Sequence, residues 1–382
     1  TKPDLSPKPE ISIFNYDLAN KLGLDFSSLK KDEIANIFSG NTLPSDAQPI
    51  SQAYGGHQFG FFSILGDGRA IILGEHIDPH NERYDIQFKG SGKTPYSRGG
   101  DGKATLGSML REYLMSEAMH NLKIPTTRSL AVIKTGEDIL RENYLEGSIL
   151  TRIAKSHIRV GTFQLLSSKN DKSALNKLVN YTINRHFKEY ANDKIPAIKL
   201  LHAVMERQIF LITNWMRVGF IHGVMNTDNM SINGETIDYG PCAFMNEYKA
   251  NTFFSSIDRQ GRYSYKNQPL IAHWNLSRFA ETLIPLIDTD EKKAIKLCEE
   301  IINKFGEKFK DKWLEMMRNK LGLIKKKNND QKLINKLLNL MENNSLDFTN
   351  TFCNLSNDKI LNNDHYKNIE FIDWYKEWKF RL

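Results

Sequence analysis

The sequence predicts an α+β chain in two parts, a sheet-rich amino-terminal part and a helical remainder. Three observations predict it. Up to about residue 155, short apolar runs alternate with Gly-rich turns, interrupted by one helical stripe. After Ala154 the apolar pattern lengthens and takes a helical period. Certain polar residues also fall in a set order: a Lys at a strand end, a Glu in the next helix, then Asp-Asn and Asp-Tyr-Gly beyond a long apolar helix.

The elements follow in order. Thr1 to about Gly40 reads as a polar arm with helix-like patterns at Ala19–Leu24 and Lys31–Phe38. A Gly-rich, strand-like region spans Gln52 to Lys89. Its runs Phe61–Leu65 and Ala70–Leu73 flank Gly66-Asp67-Gly68, a hairpin signal, and Tyr84–Lys89 adds a strand. Gly90 to Gly102 is a loop dense in Gly and Ser. A helix is expected from about Ala104 to Leu122, with a stripe of Leu106, Leu110, Leu114, Met115 and Ala118, stopped by Pro125. Ser129–Thr135 and Gly147–Ala154 read as strands. Ala197–Val218 is apolar on more than one side, the mark of a buried helix. Met230–Ile232 and Thr236–Ile237 suggest a small hairpin about Asn233-Gly234. From Asn267 onward the chain reads as helices with loops at Asn328–Asp330 and Asn343–Asn344. The division expected is 1–155 and 156–382.

Composition narrows the class. Of 382 residues, 40% are hydrophobic and 25% charged, which fits a folded globular chain. A formal charge of +7 permits phosphate-rich ligands without demanding nucleic acid, and no nucleic-acid partner is expected. Cys242, Cys298 and Cys353 are too scattered for a disulfide framework or a zinc site and read as reduced thiols. No apolar run reaches the roughly 20 residues of a membrane helix, and no signal peptide opens the chain. A cytoplasmic protein without a membrane partner is therefore expected.

Gly90-Ser91-Gly92-Lys93-Thr94 mimics the end of a phosphate-binding P-loop. The reading fails, because Gln87 stands where that motif needs its first Gly and Pro95 blocks a helix at Lys93. A more informative pair is Lys89, ending a strand, and Glu112, within the following helix. Protein kinases pair such residues to grip nucleotide phosphates. His222 through Asn229, then Asp238-Tyr239-Gly240, repeat the kinase order of a base and metal-binding groups. Adjacent oxygen ligands suit Mg²⁺ beside substrate phosphates. One departure is that Asp228 and Asn229 are neighbours, whereas kinases separate the base Asp from the metal Asn. Arg152 and Arg159 could fork onto phosphate oxygens or serve as ordinary ion-pair partners. His157, between them, reads as structural.

These strings resemble the selenoprotein O family. The resemblance is carried by Tyr54 through Gly60, Leu65 through Ala70, Lys89 through Arg98 with Gly100-Asp101-Gly102, Ser116 through Met119, Pro125 through Arg128, His157-Ile158-Arg159, and His222 through Pro241. It implies a two-lobed, protein kinase-like fold. It also implies protein adenylylation, in which AMP passes from ATP, bound in a flipped orientation, to a Ser, Thr or Tyr hydroxyl of a protein, and pyrophosphate leaves. By the same resemblance, Asp228 is the proton acceptor, and Asn229 and Asp238 hold Mg²⁺ or Mn²⁺. Lys89 touches phosphate and Glu112 orients it. Gly66, Gly68, Arg69, Asp101 and Gly102 line the nucleotide site, and Arg152 and Arg159 hold the nucleotide, with Asp238 also at the site. UMP transfer is a variant of this reading. The alternatives are a conventional kinase that transfers the γ-phosphate and a silent kinase-like scaffold. Family members usually continue past the point matching Leu382, often to a terminal Cys or selenocysteine, so the chain is expected to be shortened. Many also carry a Cys where Phe254 stands, so a redox link there is not expected.

Overall fold

The computed structural model of the chain describes residues 1–357, 360–362 and 364–382. Its contacts divide into two compact units. The first takes residues 1–200, 226–240 and 281–289; the second takes 201–225, 241–280 and 290–382.

An antiparallel sheet forms the frame of the first unit. Its strands are β1 (Glu10–Phe14), β4 (Ala70–Ile77), β5 (Arg83–Lys89), β6 (Ala104–Thr105), β7 (Arg128–Leu140) and β8 (Tyr144–Ala154). They lie in the order β1-β7-β8-β5-β4, with β6 on β8. β2 (Ala53–Gln58) and β3 (Phe61–Gly66) form a separate hairpin. Alternation along the strands divides the core between two faces. Phe88, Ile133, Ile149 and Ile153 pack with Phe14, Leu18 and Phe38 beneath α1 (Tyr16–Lys21) and α2 (Lys31–Phe38). Val132 and Leu150 face Met109 and Tyr113 of α3 (Leu106–Asn121). Gln87, Lys89 and Arg152 alternate with Phe88 and Ile153. Parity therefore puts them on the α3 face, with Gln87 directly opposite Arg152. α4 (Val160–Ser168) and α5 (Lys172–His186) follow.

Helices dominate the second unit. α9 (Phe305–Lys320), α10 (Asp330–Asn343), α11 (Phe348–Leu355) and α12 (Ile369–Arg381) bury one cluster with Leu337, Phe348, Trp374 and Trp378 at its centre. Both indole N–H groups find backbone acceptors, Trp374 on Leu333 and Trp378 on Leu321, each at 2.9 Å. α6 (Pro196–Arg217), α7 (Gln268–Ile287) and α8 (Glu291–Ile302) complete the helix set, and β9 (Phe220–Ile221) pairs with β10 (Ala243–Phe244). Among the described residues no helix is long and apolar enough to cross a membrane.

The chain is thus α+β, sheet-rich at its amino-terminal part and helical after it. Several local expectations need correction. Gly66-Asp67-Gly68 does not close a hairpin. β3 turns back onto β2 through Phe59-Gly60, both at positive φ, while β4 pairs forward with β5. A two-residue loop of that geometry is the favoured hairpin turn. Met230–Ile232 and Thr236–Ile237 do not pair with each other either; Ser231 bridges Arg159 and Thr236 bridges Thr126. The buried face of α3 is Met109, Glu112, Tyr113, Ser116 and Met119, while Leu114 is 65% exposed. Of the expected stripe Leu106 and Leu110 do pack against the core, whereas Leu114 points outward and Glu112 goes inward, to cations that neutralise it. Inside the expected polar arm, Glu10–Phe14 is a strand on β7, and the first helix lies at Tyr16–Lys21. α10 takes in Asp330 and Asn343, which the sequence assigns to loops.

Candidate active site

β5 ends at Lys89, and its ammonium donates to Glu112 Oε2 at 2.7 Å. The Arg152 side chain, reaching in from β8, donates Nε to Glu112 Oε1 at 3.0 Å and pairs a second time through Nη2. Glu112 is therefore clamped by two cations on the sheet face that α3 covers. Burial opposes its ionisation, yet Arg152 and Lys89 hold its carboxyl below the usual range.

Asp238 joins the same cations from the segment 226–240. Its Oδ1 accepts from Lys89 at 2.9 Å and from Arg152 at 2.8 Å, and its Oδ2 accepts from Arg159 at 3.4 Å. Burial disfavours its ionised form, but the Lys89, Arg152 and Arg159 charges outweigh that and hold its carboxyl well below the usual Asp range. Its side chain is still 24% exposed, so a ligand can reach it. Asp238 has φ of +61°, a conformation a non-Gly residue adopts at a cost. Neighbouring contacts impose it. Thr236 N donates to Pro125 O at 2.9 Å, Thr127 N to Thr236 O at 3.0 Å, and the Tyr239 hydroxyl meets that of Thr126.

Asp228 sits in a short 3₁₀ turn, Thr227–Asn229. That turn is held against the start of α4, where Val160 N donates to Met230 O and Ile232 N to Ile158 O, both at 3.0 Å. The β2–β3 hairpin lies over it. His57 N donates to Thr227 Oγ1 at 2.7 Å, Phe59 N to Asn226 Oδ1 at 3.3 Å, and Gln58 Nε2 to Asp228 Oδ2 at 3.4 Å. A Cβ on Gly56 would lie 2.5 Å from Asp228 Oδ1, so only Gly lets the strand approach this closely. Asp228 is 6% exposed, and its Oδ1 is buried without a hydrogen-bond partner. Burial lifts its carboxyl to about 6, against the partial opposition of its own backbone and Arg159. Two aspartates of one segment are thus tuned apart, one toward proton acceptance and one toward permanent charge.

Arg159, at the start of α4, is 2% exposed. Besides Asp238 it faces Asp228 O at 3.2 Å, Asp67 Oδ1 at 3.5 Å, and the Tyr54 ring with its guanidinium carbon 4.4 Å from the centroid.

The structure thus brings together Lys89, Glu112, Arg152, Arg159 and Asp238, with Asp228 beside Arg159. Asn229 follows Asp228 and is half-buried. The Gly90–Gly102 loop is laced onto Gly66–Gly68: Thr94 Oγ1 donates to Asp67 O at 2.7 Å, and Ser97 Oγ to Gly68 O at 2.5 Å. Gly66 and Gly68 pack against Tyr96 of that loop. Arg69 is exposed. Asp101 is not part of the cation cluster; it forms an exposed fork with Arg141 at 2.7 and 3.1 Å. Gly102, at φ +69°, crosses Gly92 so closely that a Cβ would come within 2.0 Å of its carbonyl. No helix starts at Lys93, as the rejection of a P-loop requires. His157 is fully buried with Nδ1 2.9 Å from Asp85 Oδ2 and serves the scaffold. Sequence reasoning missed Tyr54, Asp67, Gln87 and Gln58. Asp67 reads as a turn residue, and only the fold shows that its side chain points at an arginine.

Comparison with known proteins gives the family of the chain. The family profile described as "Protein adenylyltransferase SelO" matches residues 2–378. The chain belongs to the SelO family. A protein nucleotidyltransferase YdiU of Pelagibacter ubique is 58% identical over 374 residues, covering 98% of this chain and 77% of that protein. The YdiU proteins of Nitrosococcus oceani and of Clostridium botulinum (strain Hall) are 54% and 55% identical, covering 98% and 100% of this chain and 76% and 77% of those proteins. A rhoptry antigen kinase domain of Toxoplasma gondii superposes with a TM-score of 0.30 at 9% identity, covering 69% of this chain and 86% of that domain. That likeness is too loose to carry an argument.

Among the described residues no three His, Cys, Asp or Glu side chains gather into a metal cage. Mg²⁺ and Mn²⁺ do not need one beside a nucleotide, since one or two protein oxygens plus substrate phosphates suffice. The Asp238 carboxylate, 24% exposed, and the half-buried Asn229 amide are oxygen donors of the kind that requirement asks for.

Proposed function

We propose that the chain is a protein adenylyltransferase that moves AMP from ATP to a Ser, Thr or Tyr hydroxyl of a protein and releases pyrophosphate. SelO family membership supports the reaction class. The observation that carries the assignment of roles is the gathering of Lys89, Arg152 and Arg159 on Asp238, with the buried Asp228 next to Arg159.

The cations bind the triphosphate. Lys89 is aimed by Glu112 as a point charge, and Arg152 and Arg159 offer planar forks that match phosphate oxygens. Asn229 and Asp238 would hold Mg²⁺ or Mn²⁺, which supplies charge stabilisation for the phosphates when bound. The protein hydroxyl oxygen attacks the α-phosphorus. A new P–O bond forms, and the bond from that phosphorus to the bridging oxygen of the β-phosphate breaks. Pyrophosphate departs with the electron pair, and the hydroxyl proton passes to the Asp228 carboxylate. Negative charge grows on the α-phosphate oxygens and the leaving group, where fixed cations stabilise it most.

Cys242, Cys298 and Cys353 are thiols rather than disulfide halves, which fits a reducing compartment such as the cytoplasm. Label transfer to protein from ATP labelled at the α or the γ phosphate tests the reaction. Retention of the α label alone is expected, and retention of the γ label alone would make the chain a conventional kinase.

A further inference from the structure

Three cations share the two oxygens of Asp238. If Asp238 turns to a metal ion, each cation needs another partner or its buried charge is left uncompensated. Lys89 and Arg152 have one, since Glu112 is 3% exposed and binds both. Arg159 does not touch Glu112. Its remaining ion-pair partner is Asp67, 3.5 Å away and 2% exposed, and its guanidinium carbon sits over the Tyr54 ring, 4.4 Å from the centroid. Asp67 is itself fixed: Oδ2 accepts from Gln52 N at 3.2 Å and Gln87 Nε2 at 3.5 Å. Gln87 in turn accepts from Arg152 Nη1 at 3.1 Å, which ties the two arginines to one buried frame.

We propose that Tyr54 and Asp67 are the positioning residues of Arg159, holding its guanidinium for phosphate when Asp238 is drawn to the metal. Tyr54 holds the fork by a cation–π contact with the guanidinium carbon over its ring. Asp67 supplies the retained negative charge. Glu112 is the corresponding anchor for Lys89 and Arg152, so every phosphate-facing cation has one permanent partner and one exchangeable partner. This proposal rests on the reading of Arg159 as a phosphate holder.

The test compares Tyr54→Phe, Tyr54→Leu and Asp67→Asn with the unaltered chain. The readouts are KM for ATP, kcat, the inhibition constant of inorganic tripolyphosphate, and the melting temperature. Tyr54→Phe keeps the ring and should stay within about twofold in every constant. Tyr54→Leu and Asp67→Asn should raise KM for ATP about tenfold and raise the tripolyphosphate constant by a similar factor. Tripolyphosphate has no nucleoside, so it reports the phosphate grip alone. Three results would overturn the proposal: an unchanged KM in Tyr54→Leu, a raised KM without a raised tripolyphosphate constant, or a Tyr54→Phe variant as impaired as Tyr54→Leu. Transfer of the γ rather than the α label by the unaltered chain would sink the adenylyltransferase reading while leaving these binding comparisons decisive. A chain that binds neither ATP nor tripolyphosphate would sink both.

Discussion

At the scale of single residues, the account rests on Asp228 and Asp238. In the proposed role Asp228 accepts a proton only when ionised, and burial lifts its carboxyl to about 6. We therefore expect kcat/KM to fall about tenfold per pH unit below that point and to level off above it. A pH–rate profile measures this, and a profile flat down to pH 4.5 would remove Asp228 from the role. Asp228→Asn should lose roughly 10²- to 10⁴-fold in kcat while nucleotide affinity stays within about threefold. Asp238→Ala should abolish the dependence of nucleotide binding on Mg²⁺ or Mn²⁺; a titration that still responds to metal would relocate the ligand. The sequence singled out Lys89, Glu112, Asp228, Asn229 and Asp238 by their order along the chain, and the structure joins three of them, Lys89, Glu112 and Asp238, in one ion-pair cluster. Tyr54 and Asp67 were not singled out in this way, because their roles depend on contacts with Arg159, roughly a hundred residues away in the sequence.

At the scale of elements, the β2–β3 hairpin decides access to Asp228. It lies on the turn that carries the base, pinned through Thr227 and Asn226. Gly56→Ala places a methyl 2.5 Å from Asp228 Oδ1, so either the strand or the carboxylate must shift. The expected outcome is at least a tenfold loss of kcat, on the order of 1.4 kcal/mol, with a smaller change in melting temperature. Unchanged turnover would mean that the hairpin does not sit this tightly in the working enzyme. The sequence suggested strands here but paired them wrongly. Gly66-Asp67-Gly68 carries the stronger hairpin signal, whereas Phe59-Gly60 makes the actual turn. Turn chemistry alone does not reveal that β4 finds a better partner in β5, which places Lys89 on the sheet. The helix α3 gives a second case. Its existence and length followed from periodicity, and Leu106 and Leu110 do face the core, but periodicity did not show that Glu112 turns inward to its ion pairs while Leu114 turns out.

At the scale of the whole molecule, the charge cluster links function to acid stability. Glu112 and Asp238 are both held below their ordinary values in the folded chain. Their contribution is present above the unfolded carboxylate range, about pH 4, and is lost as pH falls through the folded values. Glu112→Gln leaves Lys89 and Arg152 with one buried partner fewer and should cost about 3–5 kcal/mol near neutral pH, shrinking toward pH 3. Denaturant unfolding at both pH values checks this, and a pH-independent loss would contradict it. Glu235 acts in the opposite sense. Burial raises it to about 7, so its contribution is present below about pH 4.5 and is lost as pH rises through 7. The α+β texture was readable from periodicity, but the membership of residues 226–240 in the sheet-bearing unit is set by tertiary contacts that no local pattern encodes.

The measurement that bears most directly on the central claim is transfer of label to protein from ATP carrying it at either the α or the γ phosphate, with Mg²⁺ or Mn²⁺ and with EDTA as control. Protein labelled only from α-labelled ATP, in a metal-dependent reaction that Asp228→Asn suppresses, is the result predicted. Protein labelled only from γ-labelled ATP would contradict the account.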